Sequence, residues 1–186
     1  MDVFEAIETR RSVKKFTSRA PTKDEIERML EAAVQVPNHR MTKPWRFYVM
    51  GPRARRLYGA ALGLRKAKRV EDADAARLVV EKVSSEHERL PLMIAVAIRQ
   101  DENPEIREED HASAMMGIQN LSLVATAFGL GSHIKSGGIM DDPAARAVVG
   151  LPDGERIVAI VNVGEPEEVP APKERLRATE VTTWVD

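Results

Sequence analysis

The chain reads as a single α+β domain, and three observations lead there. Segments with helical periodicity alternate with short apolar runs. The run Leu90-Pro91-Leu92-Met93-Ile94-Ala95-Val96-Ala97-Ile98 is apolar throughout yet far too short to span a membrane, which predicts a strand buried on both faces at a sheet centre. A second run, Ile157 to Val163 closed by Gly164, has the same character. Helices and strands therefore share one core, although pattern alone leaves the sheet order open. No repeat, linker or low-complexity tract divides residues 1–186, so one domain is expected, with residues 165–186 as a tail.

Each element has a local reason. Val3, Phe4, Ala6 and Ile7 recur at near-helical spacing and lead to Arg10-Arg11, where a helix C-terminus favours cations. Thr22-Lys23-Asp24-Glu25 has the pattern of a capping box, and Ile26, Met29, Leu30, Ala33 and Val34 then define an apolar face that must end before Pro37. Pro37 to Pro44 is a polar loop tethered by proline at both ends, followed by Phe47-Tyr48-Val49-Met50 with strand character. Residues 53–89 are rich in helix formers, with Gly59 and Gly63 as weak points. After Glu108-Glu109-Asp110, residues 111–128 are apolar nearly all round, which predicts a helix enclosed by its own domain or by a second subunit. Gly129-Leu130-Gly131 stops it. A helix near Asp142 to Val149 precedes the last strand, and Pro166, Pro170 and Pro172 keep the start of the tail out of helical geometry.

Composition narrows the chemistry. The 28 basic and 29 acidic residues balance, so no polyanion-binding surface is indicated and nucleic acid is not an expected partner. There is no cysteine, which removes thiolate nucleophiles, disulfides and cysteine-ligated metals. His39, His87, His111 and His133 are too scattered for a zinc site. The chain has no Gly-x-Ser-x-Gly elbow. The first residues lack a basic stretch followed by an apolar one, and no segment reaches about 20 apolar residues, so a cytoplasmic protein without a membrane partner is expected.

Two basic clusters are candidates for anion binding. Arg10-Arg11-Ser12 offers two guanidinium forks and a hydroxyl just past a helix, a set suited to a phosphate monoester. Any one of these arginines alone reads as ordinary solvated charge. A second basic cluster, Lys173, Arg175 and Arg177, stands in the tail; folded back towards Arg10, it would let the two ends of the chain clasp one dianion. Lys135-Ser136-Gly137-Gly138 lets backbone approach a flat ligand, or is simply a tight turn.

The stretches Arg10-Arg11-Ser12-Val13-Lys14-Lys15-Phe16, Ala32-Ala33 to Pro37, Pro44-Trp45-Arg46-Phe47, Gln119-Asn120-Leu121, Gly129-Leu130-Gly131, Ser136-Gly137 and Val163-Gly164-Glu165-Pro166 together resemble the nitroreductase family, and within it the small YdjA-like subgroup. The resemblance implies a central, mostly antiparallel sheet flanked by helices, and an intertwined homodimer with FMN at the interface. It also implies alternating reduction by NADH or NADPH and oxidation by a small electron-poor acceptor such as a nitroaromatic or quinone, with hydride passing through flavin N5. By position, it assigns Arg10, Arg11 and Ser12 to the phosphate and ribityl chain, and Ile134, Lys135, Ser136 and Gly137 to the isoalloxazine. Gln35 and His39 match contacts supplied by the partner subunit, Asn38 belongs to the same loop, and Arg175 or Arg177 is the tail's phosphate ligand. No side chain is nominated as an acid or base. Asn38, Met41 and Lys43 replace the Ser, Asn and Gln of the commoner family loop, so polar contacts to the ring must differ. A flavin-binding protein without turnover, for storage or sensing, and specialised flavin chemistry such as dehalogenation or flavin fragmentation are the rival readings.

Overall fold

The computed structural model describes all residues 1–186. The elements in order are α1 (Val3–Thr9), α2 (Lys23–Val34), β1 (Trp45–Val49), α3 (Pro52–Ala67), α4 (Ala73–Glu88) and β2 (Leu92–Arg99). They continue with α5 (Pro104–Ala127), β3 (Gly131–Lys135), α6 (Pro143–Val148), β4 (Glu155–Gly164) and a 3-10 turn at Ala178–Glu180. No helix is long and apolar enough to cross a membrane.

The four strands form one antiparallel sheet in the order β1-β2-β4-β3. As the unbroken apolar run predicts, β2 is an inner strand, buried from Leu92 to Ile98. One sheet face carries Leu92, Ile94, Val96, Val161 and Val163 and packs beneath Met29 and Ala33 of α2 and Ile118, Leu121 and Ala125 of α5. The other carries Met93, Ala95, Ala97, Ile157 and Ile160 and packs against Tyr58 and Ala61 of α3 and Ala145 of α6. A bulge opposite Val96 and Ala97 inserts Val158 into β4. It resets the two-residue alternation, so that Ile157 and Ile160 meet the same layer.

The capping box at the start of α2 is formed in both directions. Thr22 Oγ1 accepts from Glu25 N at 3.2 Å, and the Glu25 carboxylate accepts from Thr22 N at 2.7 Å.

Residues 53–89 are helical as expected, whereas the start of α5 and the strand β3 depart from expectation. Residues 53–89 are two helices, because the chain turns after Lys68 and Asp72 caps a new helix by accepting from Ala75 N at 2.7 Å. Gly59 and Gly63 are points of closest approach in that hairpin: a Cβ on Gly63 would lie 2.8 Å from Val80 Cα, and one on Gly59 2.8 Å from His87 Cβ. α5 starts at Pro104, capped by Asn103, whose Oδ1 accepts from Glu105 N at 2.9 Å. Its acidic first turns are helical because carboxylates are stabilised at a helix N-terminus. Finally, residues 131–135 form the edge strand β3.

Burial along α5 is one-sided. Asp110, Ser113, Ala114, Gly117, Ile118, Leu121 and Ala125 face the core, whereas Ala112, Met116 and Gln119 are exposed, Met116 to 41%. The domain thus encloses part of this helix and leaves open a mixed stripe in which Ala112 and Met116 are flanked by His111 and Gln119. Nearby α1, which packs on α5, exposes Val3, Phe4 and Ile7, with Phe4 at 73%.

Candidate functional site

The two ends of the chain are zipped together beside β3. After α1 the backbone becomes extended at Arg10, and Val13 N donates to Ser132 O at 2.9 Å. Val13 is buried against Gly131, where any side chain would collide with it. Further along, Thr17 N donates to Glu165 O at 2.9 Å and Glu167 N to Lys15 O at 3.2 Å. These bonds bring the start of the tail alongside residues 12–17.

Between these segments lies a cavity of about 970 Å³. Arg10, Arg11, Ser12, Lys14 and Lys15 line one side, Glu168, Pro170, Ala171, Pro172, Lys173 and Arg175 the other, with Ile7 and Glu8 of α1 and Gln119 of α5 completing the wall. With Val13 turned into the core, alternation along the extended segment leaves Ser12 and Lys14 on the opposite side. Six cationic side chains thus confront two carboxylates, Glu8 and Glu168, in a chain whose net charge is −1. The excess of positive charge is local.

The six are not equivalent. Arg11 Nη1 donates to Glu8 O at 2.6 Å and to Arg10 O at 3.0 Å, tying its guanidinium to the end of α1. Arg10, Lys14, Lys15, Lys173 and Arg175 make no ion pair and no side-chain hydrogen bond within the chain. Five unpaired cations around one cavity are a donor set for a phosphate dianion. The adjoining Ser132 hydroxyl, bridged through its backbone to Ser12, is buried without a partner.

From this cavity a polar row leads along β3. His133 and Lys135 lie on the same face of the strand, and Lys14 is close enough to act on the His133 ring. Burial holds the His133 pKa below its ordinary value, and the neighbouring Lys135 and Lys14 push it the same way. Lys135 is itself lowered, first by burial and then by Lys66, against a smaller opposing effect of Glu86. Opposite His133 in the ladder, Asn162 carries a buried carboxamide oxygen without a partner. The row ends at exposed Ser136 and Gly137; Gly137 has φ 127° and open space where a side chain would stand.

Of the residues singled out from sequence, Arg10, Arg11, Ser12 and Arg175 meet in one cavity. Ile134, Lys135, Ser136 and Gly137 lie at the far end of the adjoining strand. Arg177 does not line the cavity; its backbone N donates to Glu180 at 2.6 Å at the start of the 3-10 turn, while Lys173 stands beside Arg175 on the cavity wall. Gln35 and His39 are exposed around the loop after α2, outside this cavity. Asn38 is half-buried and its amide is engaged with Thr42, Lys43, Asp110 and Ser113. Lys14, Lys15, Gln119 and His133 were given no role at the site by the sequence. The two-residue alternation around Val13 is the signal that marks Lys14; nothing local marks Gln119, which reaches the site only through packing of α5.

Comparison with known proteins agrees with this architecture. Residues 7–165 match the nitroreductase family. The chain is 36% identical over 172 residues to the Bacillus subtilis (strain 168) protein named "Putative NAD(P)H nitroreductase YfhC", covering 91% of this chain and 87% of that one. It is 28% identical over 168 residues to the YdjA protein of Escherichia coli (strain K12), covering 90% of each. Among solved structures, a nitroreductase-like family protein from Bacillus cereus superposes with a TM-score of 0.86 at 29% identity, covering 100% of this chain and 97% of that one. The FMN and NADPH-dependent nitroreductase NfnB of sphigopyxis sp. strain HMH shares the fold, with a TM-score of 0.78 at 20% identity and full coverage of both chains. Fold and site together define an α+β domain with a cation-lined pocket walled on one side by residues 168–175. The chain belongs to the nitroreductase family.

Proposed function

We propose that this protein is an FMN-dependent NAD(P)H oxidoreductase that works as a homodimer and reduces a small electron-poor acceptor. The observation that carries the reading is the cavity shared by Arg10, Lys14, Lys15, Lys173 and Arg175, five cations without a partner in the chain. Its donor set suits a phosphate monoester dianion, and the polar row Lys14, His133, Lys135 leads from it to the side-chain-free backbone at Gly137, a layout that fits a ligand with a charged tail and a flat head. Arg10, Lys14, Lys173 and Arg175 would hold the phosphate, with Ser12 donating its hydroxyl. Lys135 and the backbone at Gly137 would flank the ring system. FMN, when bound, supplies the redox chemistry, accepting hydride from a nicotinamide nucleotide and passing electrons to the acceptor. NfnB is a nitroreductase that uses FMN and NADPH, and this chain has its fold.

The homodimer rests on the open stripe of α5. Ala112, Met116 and Gln119 on α5 and Val3, Phe4 and Ile7 on α1 form exposed, largely apolar surface on adjoining helices, and tail residues Leu176, Val181, Trp184 and Val185 are exposed as well. A second copy covering these groups would gain roughly 25 cal/mol for each Å² of apolar surface removed from water. By the family resemblance, Gln35 and His39 of one copy would reach the cavity of the other.

The test is anaerobic titration of the purified, FMN-loaded protein with NADH and with NADPH, followed at the flavin absorption band. Bleaching, and its reversal by a quinone or nitroaromatic, is the expected result. Protein that takes up FMN but is reduced by neither nucleotide would be a flavin-binding module without turnover; protein that takes up no FMN would end the proposal.

A further inference from the structure

The loop between α2 and β1 is held by a carboxylate that no other part of the site uses. Asp110 is 3% exposed in the second turn of α5 and has no cation within salt-bridge distance. Burying a carboxylate without a counter-ion is costly unless hydrogen bonds compensate. Its Oδ1 accepts from the Thr42 hydroxyl and, at 3.5 Å, from Asn38 Nδ2. Asn38 Nδ2 also donates to Thr42 Oγ1 at 3.0 Å and to Ser113 Oγ at 3.4 Å, while Asn38 Oδ1 accepts from Lys43 N at 2.8 Å. Ser113 in turn donates to Pro37 O at 3.0 Å. Both ends of the loop thus converge on the start of α5, and Arg40 adds an outer tie to Glu109 at 3.0 Å.

The backbone shows what this network maintains. Met41 and Lys43 have φ of 51° and 48°, two non-glycine residues in the left-handed region within three positions. Such residues persist only where their surroundings over-determine them, and they concentrate at ligand sites. The Asn38 side chain, with both its amide groups engaged, is part of the scaffold. His39 is the opposite: it is exposed and makes no hydrogen bond within the chain.

We infer that Asp110 is a positioning residue: through Thr42 and Asn38 it fixes the 37–44 loop in the strained form that presents His39 to the FMN held by a second copy of this chain. The inference rests on the proposed function, and it predicts that the effects of Asp110 and His39 on the ligand are one effect. Full-length wild type, Asp110→Ala, His39→Ala and the double variant are titrated with FMN by flavin fluorescence, and amide exchange is measured over residues 38–43. Each single variant is expected to weaken FMN by about ten-fold, and the double variant by no more than either alone, because coupled residues do not add. Asp110→Ala is also expected to speed exchange in the loop, which His39→Ala leaves unchanged. Asp110→Asn, which keeps an acceptor oxygen for the Thr42 hydroxyl, is expected within about three-fold of wild type; a loss as deep as that of the alanine variant overturns the hydrogen-bonding geometry proposed. If Asp110→Ala fails to fold, Thr42→Val cuts the same link and carries the same expectations. Multiplicative losses in the double variant, or a loosened loop with unchanged FMN affinity, overturn the inference while the functional reading stands. A wild-type chain that takes up no FMN overturns both.

Discussion

Adjacent arginines are usually treated as equivalent, and here they are not. Arg10 faces the cavity with no partner in the chain, whereas Arg11 donates to Glu8 O and Arg10 O and closes the end of α1. A hydrogen bond to a charged group contributes roughly 1.5–3 kcal/mol. At about 1.4 kcal/mol per ten-fold, Arg10→Ala is expected to weaken FMN roughly 10- to 150-fold and to leave the melting temperature of the FMN-free protein unchanged. Arg11→Ala inverts the pattern. Because water can replace the guanidinium at these largely exposed helix-end carbonyls, losing both bonds costs only about 1 kcal/mol of stability, or roughly 2–4 °C in a chain of this size, with a smaller effect on the ligand. Fluorescence titration with FMN and thermal melts of the FMN-free proteins measure the two quantities independently. Equal losses of affinity, or a larger one for Arg11→Ala, would refute the division of labour drawn from the hydrogen bonds.

Other consequences are open to direct measurement. Gly63→Ala gains about 1 kcal/mol of helix propensity but places a methyl 2.8 Å from the α4 backbone at Val80, where roughly 1–3 kcal/mol of overpacking outweighs it; a lower melting temperature is expected, and a higher one would contradict the packing. Burial holds the His87 pKa below its ordinary value, with the Val83 carbonyl opposing and Lys135 assisting. The unfolded chain therefore binds that proton more readily, and stability is expected to fall as pH drops below about 6.5. His133 acts in the same direction, so His87→Leu, compared by urea unfolding at pH 7 and pH 5, should reduce the loss without abolishing it; an unchanged loss would remove His87 from the account. Met116→Asp, at a position 41% exposed, should leave the protomer folded and shift sedimentation to the monomer, whereas a persistent dimer would place the interface elsewhere.

Much of the fold was legible because its strongest elements carry local signals. The capping box at Thr22 fixes where α2 begins, and the unbroken apolar run fixes β2 as an inner strand. β3 was not legible, since Gly131-Ser132-His133-Ile134-Lys135 has a single large apolar side chain. Its polarity follows from its place: Gly131 makes room for Val13, while His133 and Lys135 face the polar row. The early turns of α5 looked like a charged boundary because their carboxylates suit a helix start as well as a loop. Arg10 and Ser12 were marked by chemistry on adjacent residues. That Lys173 accompanies Arg175 on the wall in place of Arg177 depends on how an irregular segment bends, and no periodicity encodes that. The role of Asn38 was likewise hidden, because its scaffold partner Asp110 lies 72 positions away.

The seam between residues 12–17 and the start of the tail also governs when the pocket comes into being. Thr17 and Glu165, whose side chains meet at 2.7 Å, are separated by 148 positions, so closing this contact costs chain entropy that only a nearly finished core repays. During synthesis Arg10 and Lys14 therefore acquire the opposite wall of the pocket only once residues 168–175 have been made. Under the proposed function, ligand capture would act as a latch, drawing the equilibrium by mass action towards the completed molecule, and a nascent or clipped chain that lacks residues 168–175 is left without one wall of the pocket.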